Sequence, residues 1–281
     1  MKHTEFDKRM KKYEQTSKTV LVSRMPVIIR IDGKAFHTFT KKFKKPFDDI
    51  LIKTMQETTK YLCENIQGCV LGYTQSDEIT LVLVDYKSLD TDNWFDNEVQ
   101  KICSISASMA TMKFNKIFEK YVEEFYRENT KLVVTENESN IVFNSEENKN
   151  LYENYLKAIE KGAMFDSRCF NIPKEEVCNN IYWREQDAIR NSIQMVAHTL
   201  FTNKELHKKN TTELKEMLLT KNFDFDKLET FKQRGTCIIK KPITLTRENG
   251  DTFERNKWVI DKNIPIFIGD DRNYIENLIF I

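Results

Sequence analysis

The chain has 281 residues, 40% hydrophobic and 31% charged, with Lys plus Arg at 44 against Asp plus Glu at 43. That content is too apolar for a disordered chain, and only 7 glycines and 5 prolines exclude collagen-like and flexible-linker architectures. A formal net charge of +1 excludes a uniformly basic nucleic-acid coat, so any basic surface is local.

A charged segment over 2–19 reads as a helix, with Phe6, Met10 and Tyr13 spaced for one face. This N-terminus lacks the apolar core of a signal peptide, and no apolar run reaches the roughly 18 residues of a membrane span. The expectation is a cytoplasmic chain with no membrane partner. A β-branched strand over 26–31 runs from Pro26 toward Gly33, and lysines at 41, 42, 44 and 45 lead to Pro46. A helix over 48–65 opens on Asp48 and Asp49 and carries the stripe Leu51, Met55, Thr58 and Leu62. Strands over 69–73 and 79–84 flank the polar turn Thr74-Gln75-Ser76-Asp77-Glu78.

Further along, a helix over 96–114 presents Val99, Ile102, Cys103, Ser106, Met109 and Ala110. The Asn-, Glu- and Ser-rich stretch 135–150 reads as a surface loop, and 164–170 as a strand. A long helix over 174–202 has Ile189, Ile193, Val196 and Leu200 on one face and Asp187, Asn191, Gln194 and His198 on another. Residues 204–231 read as helical, and 236–239, 243–247 and 253–260 as strands, the last two joined around Asn249-Gly250. The six cysteines form no Cys-x-x-Cys pair and do not meet the four histidines at ligand spacing, which predicts free thiols in a reducing compartment rather than a zinc site. Hairpin-linked strands among helices predict an α+β fold with an antiparallel sheet rather than a doubly wound parallel one.

The chemistry concentrates in two acidic turns. Asp32 follows its strand directly and precedes Gly33, while Asp77 and Glu78 sit between two strands. If these strands are neighbours, Asp32 and Asp77 meet at one end of the sheet and repel unless a cation lies between them. Mg²⁺ suits such oxygen ligands and leaves positions open for phosphate oxygens. Two such ions about 3.5–4 Å apart make a phosphoryl- or nucleotidyl-transfer site. Lysines at 41–45 would neutralise phosphate charge. On spacing alone, a plain Asp-Gly turn, a solvated hairpin tip and a solvated lysine run are the alternative readings.

Five motifs then occur in order: RIDGKAFHTF (30–39), KKP (44–46), GYTQSDE (72–78), FDSR (165–168) and WREQD (183–187). Over about residues 5–240 the chain resembles the tRNA(His) guanylyltransferase family, including its bacterial and archaeal like-protein branch. The resemblance implies a 3′-to-5′ nucleotide-adding polymerase with a palm like that of polymerases and nucleotide cyclases. The expected organisation is a single catalytic unit over 1–281, with the palm-like core over about 20–172, followed over 173–281 by a helical region and a C-terminal hairpin extension, the hairpin lying outside the resemblance. Asp32 and Asp77 would hold two Mg²⁺ ions with the Gly33 carbonyl, Glu78 would support them, and Lys101 would assist 5′-end activation. Asp32, Gly33, Lys34, Ala35, Phe36, His37, Ser76 and Asp77 would line the triphosphate of ATP, GTP or another nucleotide. Lys45, with Lys42 close by, would contact phosphates, and Asp48 would help to recognise the base. Arg168, Arg184 and Asp187 match motif positions, and Arg184, Asp187, Arg190 and Asn191 form a weak candidate surface for tRNA. A homotetramer, a dimer of dimers, is implied as well.

One departure separates this chain from eukaryotic members. Their Trp-Arg-x-x-Asp run is followed by Cys and then His-Ile-Asn-Asn-Leu-Tyr-Asn. Here Ala188 follows, Ile189 replaces the histidine, Met195 replaces the last asparagine, and Asn191 is kept. That favours template-dependent repair of tRNA 5′ ends over dedicated addition of an extra guanosine to tRNA(His). A nucleotide cyclase or an inactive tRNA-binding module are the other readings. The intact Asp32, Gly33, Ser76 and Asp77 argue against the inactive one.

Overall fold

The computed structural model describes residues 4–134, 139–247 and 251–281. The chain runs α1 (Glu5–Gln15), β1 (Val27–Gly33), the single turn α2 (Phe36–Phe39), α3 (Asp49–Asn65), β2 (Cys69–Gln75), β3 (Glu78–Leu83) and α4 (Val99–Asn129). It continues through β4 (Thr130–Val134), β5 (Ser139–Phe143), α5 (Glu146–Lys161), β6 (Phe165–Asn171) and α6 (Lys174–Leu200). The short α7 (Asn203–Leu206), α8 (Thr211–Thr220) and α9 (Thr230–Arg234) lead to β7 (Thr236–Thr246), β8 (Thr252–Asp261) and α10 (Asn273–Ile279).

Six strands form one antiparallel sheet in the order β6-β1-β3-β2-β7-β8, and β4 and β5 form a separate hairpin. The expected α+β class with an antiparallel sheet flanked by helices holds. Side chains alternate across each strand, so β1 sends Val27, Ile29 and Ile31 to one face and Ile28 to the other. The first face packs on α3 and α4 through Met55, Leu62, Ile102, Phe114 and Phe118. The second packs on α6 and α10 through Val177, Ile181, Ile275 and Ile279. Burying side chains of this size stabilises the fold by about 2 kcal/mol each. A third cluster joins Ile193, Val196 and Ala197 of α6 to Leu214 and Leu218 of α8.

Several expectations change. α1 starts on a Thr4–Asp7 capping box and stops at Gln15 rather than 19, and residues 2 and 3 lie outside the described set. Its Phe6, Met10 and Tyr13 face outward. The helix expected over 96–114 runs on to Asn129 because Phe114, Phe118 and Val122 continue its buried stripe. The stretch 135–150 is not one loop. β5 and the start of α5 occupy most of it, and residues 135–138 lie outside the described set. The polar composition concealed a helix capped by Ser145, which accepts from Asn148 N, and buried through Tyr155 and Ala158. The helix expected over 204–231 is broken into short pieces, and the strands expected over 236–239 and 243–247 are one strand. The Asn249-Gly250 turn lies outside the described residues. α10 was not anticipated. The sheet also crosses the expected boundary at 172, since β7 pairs with β2 from Leu71↔Ile239 to Thr74↔Thr236. Among the described residues, no helix is long and apolar enough to cross a membrane.

Candidate active site

The acidic turns converge at one end of the sheet. β1 lies between β3 and β6, with Asp32 opposite Glu78 on one side and Asp166 on the other. The turn from β2 to β3 takes Ser76 to a positive φ of 50°. That turn brings the Asp77 carbonyl within 3.1 Å of the Gly33 N–H, which donates to it. Asp32 and Asp77 thereby stand side by side. Burial raises the Asp77 carboxyl above its ordinary pKa, the Ser76 hydroxyl opposes this by donating at 3.0 Å, and the Asp32 charge raises it further. Among the described residues neither carboxylate has a cationic side-chain partner. Nor does any group of three or more His, Cys, Asp or Glu residues assemble to hold a metal. A cation here would take two carboxylates and complete its shell with backbone, phosphate or water oxygens, which fits Mg²⁺ rather than a caged Ca²⁺ or Zn²⁺.

The pair opens into a cavity of about 450 Å³. One wall is the segment after β1. Gly33 is required there, because a Cβ would stand 2.2 Å from Phe36 Cδ2. Ala35, with φ at 55°, turns the chain into α2, so that Ala35, Phe36 and His37 line the cavity. Lys44 and Lys45 form the cationic rim, both exposed. The opposite wall is Ala188, Asn191, Ser192 and Met195 of α6 with Phe231, Lys232 and Gln233 of α9. Ser192 Oγ donates to Lys232 O at 2.7 Å and ties these two helices together.

Most of the sequence-predicted residues line this cavity: Asp32, Gly33, Ala35, Phe36, His37, Lys45, Asp48, Ser76, Asp77 and Asn191. Others do not. Lys34 and Lys42 are exposed and lie off it. Glu78 is buried away from it, held by Arg184 at 2.6 and 2.8 Å and by Arg30 at 2.9 Å, so its charge is spent on the sheet–α6 junction. Asp48 borders the cavity with both oxygens occupied: Oδ1 accepts from Leu51 N at 2.9 Å, and Oδ2 from Lys44 N at 3.1 Å and Tyr155 Oη at 2.6 Å. It caps α3, and these contacts hold its carboxylate in place at the cavity edge.

Lys101 is remote. The start of α4 lies on the Cys169 end of β6, whereas Thr111, ten residues on, reaches Phe165 opposite Gly33. Lys101 therefore sits beside Glu98, toward the Cys169 end of β6. Arg168 pairs with Asp166 on the surface. Arg184 bridges Glu78 and Asp187, while Asp187 and Arg190 face a different groove, on the α8 side of α6. The α9 wall escaped the sequence reading altogether. Its one signal was Gly235 before a β-run. Gly235 has φ at 88°, and a Cβ there would lie 2.7 Å from Thr74 O, on the strand that leads to Asp77.

A sheet-end acid pair beside a lysine-rimmed cavity suits metal-assisted phosphoryl or nucleotidyl transfer. A sequence model of the tRNAHis guanylyltransferase family matches residues 7–173, and the chain belongs to that family of nucleotidyltransferases. It is similar to a bacterial tRNA(HIS) guanylyltransferase-like protein solved in complex with ATP, 36% identical with a TM-score of 0.77, over 99% of this chain and 100% of that one. The GTP complex of a bacterial like-protein aligns at 35% identity and a TM-score of 0.74, again over 99% and 100% of the two chains. A probable tRNA(His) guanylyltransferase of Dictyostelium discoideum is 26% identical over 90% of this chain and 89% of its own. An uncharacterized protein of Acanthamoeba polyphaga mimivirus is 30% identical over 85% of this chain and 77% of its own.

Proposed function

We propose that this protein adds nucleotides in the 3′-to-5′ direction to the 5′ end of tRNA and serves template-dependent 5′-end repair. The observation that carries this is the Asp32–Asp77 pair, without a cationic partner, at the mouth of a lysine-rimmed cavity. The bacterial like-proteins in complex with ATP and with GTP support the two nucleotide roles. In this reading the tRNA 5′-monophosphate attacks the α-phosphate of ATP, pyrophosphate leaves, and the 5′ end carries AMP. The 3′-hydroxyl of an incoming nucleoside triphosphate then attacks the activated 5′-phosphate, and AMP leaves. A 5′-triphosphate end needs no activation.

Asp32 and Asp77, with the Gly33 carbonyl, are the residues that would hold two Mg²⁺ ions, which when bound acidify the attacking hydroxyl and neutralise phosphate charge. Lys44 and Lys45 balance the triphosphate, and Ser76 orients the Asp77 carboxylate through its hydroxyl. The walls exclude water and align hydroxyl with phosphate, which carries much of the catalysis in phosphoryl transfer. The template is read by base pairing within the tRNA, so the protein needs shape and phosphate contacts more than base readout. Met195 on the cavity wall, an apolar residue where eukaryotic members have asparagine, favours repair over dedicated tRNA(His) guanylylation. We also infer a cytoplasmic homotetramer. Six free thiols suit the compartment, and the outward Phe6, Met10 and Tyr13 suit subunit contacts, which sedimentation velocity reads directly.

The test compares tRNAs lacking their first nucleotide with full-length tRNA(His), using labelled GTP with Mg²⁺ and ATP. Extension of the truncated tRNAs is expected, and Asp77→Ala is expected to abolish it at any Mg²⁺ concentration with the fold intact. A well-folded, active Asp77→Ala protein overturns the assignment, and GTP consumption without RNA turns the reading to a cyclase.

A further inference from the structure

α6 separates two pockets. Ala188, Asn191 and Ser192 face the acid pair, whereas the other side of the helix forms with α8 a groove of about 490 Å³. That groove is lined by Trp183, Asp187, Arg190, Thr211, Thr212 and Lys215 among others. Its volume falls within the range of small-molecule sites. We propose that it is a second nucleotide-binding site, in which a base stacks on Trp183 and a phosphate lies between Arg190 and Lys215.

Trp183 is 55% exposed although it sits on a helix that packs on the sheet, so core packing does not account for the indole. The ring is nevertheless held in place. The Arg184 and Arg30 guanidinium groups lie 4.6 and 5.7 Å from its centroid. Both arginines are tied to the buried Glu78. An indole fixed from behind by a buried ion network binds a planar partner with little ordering cost. Its cationic surroundings favour a ligand that carries negative charge.

The charges in the groove point the same way. Asp187 is shared between Arg184 and Arg190, so it holds Arg190 at the groove and adds no unpaired negative charge. Lys215 reaches Asp226 at 2.7 Å, a surface pair of the kind worth little in water and readily exchanged for a phosphate. Among the described residues the Thr211 and Thr212 hydroxyls have no hydrogen-bond partner, and they are available to sugar or phosphate oxygens. An aromatic platform beside two cations is the chemistry that takes a nucleotide of any base. That nucleotide comes either free or as an unpaired residue of an RNA strand, and the assignment rests on the reading of this chain as a nucleotide-handling enzyme.

Photocrosslinking locates the ligand without requiring any transfer reaction. The full chain is irradiated with 8-azido-AMP in one arm and in the other with an adenosine pentanucleotide carrying one 8-azidoadenosine, and the labelled peptides are mapped by mass spectrometry. Labelling is expected on the α6 and α8 segments that face the groove. Trp183→Leu and Lys215→Glu should each lower it by about fivefold or more, while labelling of the cavity segment over 35–47 persists and reports an intact fold. Groove labelling by the mononucleotide alone identifies a free nucleotide as the ligand, and labelling by the pentanucleotide identifies an RNA strand. Absence of groove labelling in the unmodified protein, or labelling that survives either substitution, overturns the proposal. Loss of labelling over 35–47 in the unmodified protein would instead count against the catalytic reading.

Discussion

Asp77 and Glu78 are neighbours in the chain but meet different surroundings. Asp77 sits on the turn and faces the cavity beside Asp32, whereas Glu78 is the first residue of β3 and points toward α6, into Arg30 and Arg184. Glu185, one residue beyond Arg184, poses the opposite problem. It is fully buried, accepts from Phe267 N at 3.3 Å, and has Arg234 Nε only at 3.9 Å, with Oε1 lacking a hydrogen-bond partner among the described residues. Burial pushes its carboxyl up to about 7, against the partial opposition of the Phe267 N–H and Arg234. Because its pKa in the unfolded chain stays near 4.5, the native state binds the proton more tightly between those values. The stability this group contributes is therefore complete below about pH 4.5 and lost as pH rises through 7. Glu185→Gln keeps the shape and removes the titration. It is expected to match the parent protein at pH 4 and to exceed it at pH 8 by up to about 3 kcal/mol, read by urea denaturation at both pH values. A Gln variant weaker than the parent at pH 8 would mean that the Arg234 contact outweighs the burial.

At the scale of elements, α3 depends on its first residue. Asp48 accepts from Leu51 N, Lys44 N and Tyr155 Oη, which joins the helix start, the lysine rim and α5 at one carboxylate. Asp48→Ala is expected to cost about 2 kcal/mol, from the lost cap and the stranded Tyr155 hydroxyl. Asp48→Asn should recover part of it, and a thermal melt of the two variants checks both. A destabilised Asp48→Ala protein should also bind GTP more weakly, because Lys44 and Lys45 lose their anchor. The same residue marks the limit of what sequence conveys. β1, β2, β3 and α3 were legible because a β-branched run, a bounded turn and a short apolar stripe are local signals. The acid pair was legible because Asp32 stands beside a glycine at the close of a β-branched run and Asp77 lies in the turn between two strands. The role of Asp48 was not, since Tyr155 is 107 positions away, nor that of Glu78, whose partner Arg184 is 106 away. That Lys101 lies off the cavity was not legible either, because the direction in which α4 crosses β6 is a tertiary fact. α5 was missed because Asn and Glu between Leu151, Tyr155 and Ala158 masked a helical period.

For the whole molecule, the decisive fact is that the sheet is completed from the far end of the chain. β7 closes β2 only from Thr236 to Ile239, yet those few residues, together with α10 and the segment leading into it, complete both faces. Ile238 joins the α3–α4 core, while Cys237, Ile239, Phe267, Ile275 and Ile279 join the α6–α10 core. At about 2 kcal/mol per buried side chain, their removal rivals the roughly 5–15 kcal/mol that holds a domain folded. It would also leave β2, buried on both faces, as a bare edge strand open to aggregation. The outer part of the hairpin is different. Among the described residues only β8 pairs with β7 beyond Ile239, and the first six residues of β8 are exposed. A chain ending at 235 is therefore expected to accumulate as insoluble protein without a cooperative melt. Replacing 244–254 by a tight Asn-Gly turn should leave the thermal midpoint close to that of the parent. A soluble, cooperatively melting 1–235 fragment would show that the palm-like core stands without the C-terminal strands.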